Sequence, residues 1–156
     1  MKQTPPITYT KSKHPLVILK AVIKTILDEP KRYNQETFIS IRDTIPDDRF
    51  PACDTIACVA GWTCLVAERD FRGMGGISQR ATNLLRLTPE TSGALFDGGA
   101  LYQLSSGTGY GETTPRQYAR LGVRHILRFA TRTWGQAAAD YLKGKTTRPP
   151  RITEVR

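Results

Sequence analysis

The sequence lacks any apolar run as long as a membrane span, which takes about 20 residues. Its opening stretch, MKQTPPITYTKSKHP, also lacks the continuous apolar core of a secretion signal. A cytoplasmic protein is therefore expected. Cysteine is scarce and odd in number: Cys53, Cys58 and Cys64 do not close a disulfide framework and suit a reducing compartment. There is no Walker loop, no dinucleotide fingerprint after a strand, and no pair of carboxylates spaced for acid–base work. No series of alternating apolar and polar residues marks a set of strands, which leaves an all-α class. The most informative absence is acid, because residues 113 to 139 contain not one Asp or Glu.

That acid-free stretch carries Arg116, Arg120, Arg124, Arg128 and Arg132 at every fourth position. A step of four residues advances about 40° around a helix, so the five guanidiniums share one half of it. Tyr118, Ala119, Gly122, Val123, Ile126, Phe129 and Ala130 take the other half, an apolar face for a core. Residues 1 to 112 hold 13 basic and 12 acidic side chains, whereas residues 113 to 156 hold 10 basic and 2 acidic. Nearly all of the excess positive charge of this 156-residue chain thus lies in its last third and points to a polyanion.

The spacing predicts a compact single-domain bundle of about five to seven helices with flexible termini. Residues 1–15 are expected as an extended arm, 16–143 as the helical domain, 97–112 as a flexible Gly/Ser-rich loop within it, and 144–156 as a basic disordered tail. Pro15 suits the first position of a helix that Pro30 stops. Asn34 is placed as the cap of a short helix carrying Phe38, Ile39 and Ile41. Asp54 or Thr55 then caps a helix, TIACVAGWTCLVAERD, that is apolar or small at nearly every position until Glu68 and so buried at the centre of the fold. Within it Ala57, Ala60, Gly61 and Cys64 form a small-residue edge for a close neighbour. Ile77 to Leu87 resumes a helical pattern, Thr88-Pro89 opens a short helix ending near Phe96, and Thr114-Pro115 opens the arginine helix. That last helix continues or bends at Gly135 and reaches Leu142.

The segment Cys53-Asp-Thr-Ile-Ala-Cys58-Val-Ala-Gly-Trp62, with Ala81-Thr-Asn-Leu-Leu85 and Leu95-Phe96 after it, resembles a group of small uncharacterised bacterial and phage proteins. The resemblance covers residues 16 to 96 and implies a shared helical core without an activity. This chain has Asp54 and Arg86 where that group has Gly. The arginine helix lies outside the matching region.

Arginine offers a planar fork of donors that grips phosphate oxygens in pairs and stays charged, so a row of them can follow a nucleic-acid backbone. The expected function is non-enzymatic binding of DNA, RNA or a nucleoprotein complex through Arg116, Arg120, Arg124, Arg128 and Arg132, with Lys143, Lys145, Arg148 and Arg151 adding affinity. The alternative is a phage or mobile-element accessory protein, an inhibitor or adaptor that docks on an acidic protein surface. A membrane-surface role needs a free apolar face, and this one is committed to the core. Zinc wants four ligands with closer pairs than Cys53, Cys58 and Cys64 provide, and no metal or other cofactor is expected. A thiol hydrolase using Cys53 with His125 as base is the third reading. Core packing is the ordinary role of such cysteines, and a hydrogen bond to a carbonyl that of a boundary histidine.

Overall fold

The structure is a computed structural model that describes residues 9–33, 39–40, 56–68, 76–96 and 114–152. Six α-helices appear among them: α1 Pro15–Asp28, α2 Val59–Glu68, α3 Ile77–Leu84, α4 Pro89–Phe96, α5 Pro115–Trp134 and α6 Gln136–Leu142. The fold is all-α. A 3-10 turn, Pro30–Arg32, follows α1, and the one sheet among the described residues is a two-residue antiparallel pair.

Local chemistry sets most of these boundaries. At α1, Pro15 takes the first helical position and His14 caps it, its Nδ1 accepting from the Leu16 N–H at 3.1 Å. At α4, Thr88 Oγ1 accepts from the Thr91 N–H at 3.1 Å ahead of Pro89. α5 ends where Gly135 adopts a φ of 99°, a left-handed conformation that a side chain would resist.

α2 is the hub. All eight residues from Val59 to Val66 are buried, with Trp62 fully enclosed. α3 packs closely on it: Cys64 Sγ lies 3.6 Å from the Ile77 carbonyl oxygen. α1 lays Leu16, Ile18, Leu19, Val22, Ile23 and Ile26 against the same core, and α5 covers it with Ile126, Phe129 and Ala130. The extended arm joins in through the Thr10 N–H, which donates at 3.0 Å to the Val66 carbonyl, one of the four that the end of α2 leaves unpaired.

Two expectations are corrected. Ile39 is not helical: Ile39–Ser40 is extended and pairs with Ile56–Ala57, Ile39 opposite Ala57 and Ser40 opposite Ile56. The central helix therefore starts at Val59, with Ala57 in a strand, and Cys58 caps it, Sγ accepting from the Gly61 N–H at 3.5 Å. Isoleucine is stiff about χ1 and fits an extended pair better than a helix end. Asn34, Phe38, Ile41, Asp54, Thr55 and the loop 97–112 lie outside the described residues.

The chain after Leu142 also differs from the expected disordered tail over its described part. α6 closes with the Lys145 N–H donating to Asp140 O at 2.9 Å and the Gly144 N–H to Tyr141 O at 3.0 Å, Gly144 being left-handed at φ 83°. Further on, His14 Nε2 lies 3.1 Å from the Pro150 carbonyl oxygen, and Ile152 packs on the core. Because Nδ1 of His14 accepts the Leu16 N–H, Nε2 is the nitrogen that donates.

Candidate polyanion-binding face

α5 is the longest helix among the described residues, and its start is doubly fixed. Thr114 Oγ1 accepts from the Gln117 N–H at 3.2 Å while Gln117 Oε1 accepts from the Thr114 N–H at 3.0 Å, a reciprocal capping box. Pro115 occupies the first helical position. No acid stands in the first turn, where the helix dipole would welcome one.

With Arg116 as origin, Arg116, Arg120, Arg124, Arg128 and Arg132 point to about 0°, 40°, 80°, 120° and 160° around the axis. The buried residues Ala119, Gly122, Ile126, Phe129 and Ala130 fall between about 220° and 320°. Arg124 therefore stands almost directly opposite the core. All five arginines are exposed. The ion pairs among the described residues are Lys24–Asp28, Arg80–Glu68 and Lys145–Asp140, so none of the five guanidiniums is neutralised by a carboxylate there.

The face is held outward from beneath. Tyr33, in the chain after the 3-10 turn, lies under Gly122 so closely that a Cβ there would come 2.6 Å from its ring. Its ring centre is 5.2 Å from that of Tyr118. Burial pushes the Tyr33 hydroxyl well above its ordinary ionisation range. On the α4 side, His125 Nε2 meets the Leu95 carbonyl oxygen at 3.1 Å. The boundary histidine thus engages a carbonyl at the end of α4, and this nitrogen is occupied in positioning α5.

Lys143, Lys145, Arg148 and Arg151 are also exposed. Lys145 is partly engaged, its Nζ 4.0 Å from Asp140 Oδ1. Arg148 and Arg151 flank the Pro150 carbonyl that His14 holds, so they project from an anchored segment. That contact brings them to the chain segment carrying Lys11 and Lys13, two exposed cations the sequence reading left out. Their signal was His14-Pro15, since a proline at the first helical position leaves the preceding side chain as the cap.

Cys58 and Cys64 are buried. Burial raises both thiols, Cys64 to about 12, and outweighs the backbone hydrogen bonds that lower Cys58. Neither is a thiolate near neutrality, and Cys53 lies outside the described residues. Among the described residues no three His, Cys, Asp or Glu side chains converge as metal ligands, and no helix is long and apolar enough to cross a membrane. No family model, curated protein or solved structure matches the chain.

Proposed function

We propose that this protein is a non-enzymatic binding protein that engages a nucleic-acid phosphate backbone, alone or within a nucleoprotein complex, through the arginine face of α5. One observation carries the reading: five exposed arginines, unpaired with acid among the described residues, occupy the half of α5 that faces away from the core. Like charges four apart on a helix each cost about 0.2–0.5 kcal/mol in the free protein. An ordinary soluble face avoids that cost by interleaving acids, whereas a phosphate ligand offsets it. Binding works by occupancy and positioning, with Lys143, Arg148 and Arg151 as further exposed contacts.

The test is a titration of labelled nucleic acid with the protein and with the double variant Arg124→Glu, Arg128→Glu. Both side chains are exposed, so the variant folds. Lost binding with an unchanged circular dichroism spectrum supports the reading, and unchanged binding refutes it. An acidic protein partner is the rival outcome, recognised by a Glu-rich peptide binding as tightly as nucleic acid does.

A further inference from the structure

The arginines of α5 do not form a straight row. From Arg116 to Arg132 they turn through about 160° while rising about 24 Å along the axis. A flat anionic surface, such as the side of a folded protein, meets only the middle of such an array, because Arg116 and Arg132 are turned about 80° to either side of Arg124. A ligand with two anionic walls meets all of it. The major groove of B-form DNA is about 12 Å wide and a helix with its side chains about 10–12 Å across, so a helix in that groove has a phosphate rail on each flank.

The groups between the arginines narrow the choice. The outward face also carries Gln117 and Thr131, with Leu121 and Leu127 half-buried at its shoulders; its one aromatic residue, Trp134 at the helix end, is half-buried and packs edge-on against Phe129 with ring centres 5.6 Å apart. Single-stranded nucleic acid is held chiefly by aromatic side chains on which bases stack, and this face offers no exposed one, the half-buried Trp134 ring being engaged with Phe129. The major groove of duplex RNA is too deep and narrow for side chains to read. Base reading is restricted as well: Gln117 Oε1 is taken by the Thr114 N–H and the Thr131 hydroxyl by the Leu127 carbonyl. Arg124, at the centre of the face, is left to reach the base-pair floor, where arginine meets guanine O6 and N7.

We infer that the ligand is B-form duplex DNA, with α5 in its major groove, Arg116 and Arg120 on one phosphate rail, Arg128 and Arg132 on the other, and Arg124 facing the bases. This rests on the phosphate-binding reading above and adds the class of ligand and its orientation. The full chain is titrated at several salt concentrations against duplex DNA, duplex RNA and single-stranded DNA of equal length. Duplex DNA is expected to bind most tightly. Arg116→Gln, Arg120→Gln, Arg128→Gln and Arg132→Gln are each expected to reduce the log–log salt slope by about 0.9. Arg124→Gln is expected to leave the slope unchanged and to abolish a preference for G·C-rich over A·T-rich duplexes. Equal or tighter binding of single-stranded DNA or duplex RNA overturns the groove assignment while leaving a phosphate-binding face. Equal slope losses at all five positions overturn the two-rail arrangement, and salt-independent behaviour toward all three ligands removes both readings.

Discussion

Arg124→Glu should make the free protein more stable while removing its function. Arg124 is exposed, and its neighbours four residues away on each side, Arg120 and Arg128, are exposed arginines too. The substitution converts two repulsive i,i+4 pairs into two attractive ones. At about 0.2–0.5 kcal/mol per pair in each sense, the change amounts to about 1–2 kcal/mol in favour of the folded state at low salt. In a chain of 156 residues each kcal/mol shifts the melting midpoint by about 2–4 °C. Thermal melts of wild type and variant at low ionic strength therefore should show a rise of several degrees. In about 1 M salt, where the screening length falls to about 3 Å, the difference should largely vanish. A lower midpoint, or a gain insensitive to salt, would mean that Arg124 is already in a satisfied network and would refute the unpaired face.

The contact beneath the face gives a double-mutant cycle. Gly122→Ala places a methyl 2.6 Å from the enclosed Tyr33 ring and should destabilise by about 0–2 kcal/mol, overpacking of about 1–3 set against a helix-propensity gain of about 1. In a Tyr33→Ala background the same change should stabilise by about 1 kcal/mol, and urea melts that show one sign in both backgrounds would dismiss the contact. Arg86 and Gly144 hold equivalent left-handed positions, at φ 54° and 83°, at the ends of α3 and α6. Arg86→Gly should therefore stabilise by about 0.5–1 kcal/mol and Gly144→Ala destabilise by about 1, with equal effects in urea melts counting against the two caps. Alkaline pH should unfold the protein. Burial raises Cys58, Cys64 and Tyr33 above their ordinary values of 9.0, 9.0 and 10.0, so their stabilising contribution is intact below pH 9 and declines above it. Each group adds a slope of about 1.4 kcal/mol per pH unit, Cys64→Ala should make the descent shallower, and constant stability through pH 11 would contradict the burial.

The parts of the fold that the sequence made legible are those decided within a few residues. Pro15, Thr88-Pro89 and Thr114-Pro115 each fix a helix start through their own backbone chemistry, and the structure uses all three, whereas Gly135, expected only to let the arginine helix continue or bend, ends it. The exposure of the five arginines was legible for the same reason, since period alone sorts α5 into two faces. What escaped was set by distant partners. Ile39 and Ile56 read as helix residues until each is paired with the other strand. Tyr33 has no visible role until Gly122 settles on it, and residues 144–152 read as a tail until Pro150 meets His14, 136 positions earlier. Arg86 concealed a helix cap because glycine is the usual residue there: the Arg86 N–H donates to Asn83 O and the Leu87 N–H to Thr82 O, the same pattern that Gly144 completes on α6.

The proposed function requires that α5 present its arginines to phosphate. The most direct measurement is the affinity of the full chain for duplex DNA as a function of salt, followed by fluorescence anisotropy, with a Glu-rich peptide as control. Four arginines on phosphate predict a log–log slope at least as steep as about −3.6, with contacts from Lys143, Arg148 and Arg151 steepening it. A slope near zero, or a peptide affinity equal to that for DNA, would contradict it.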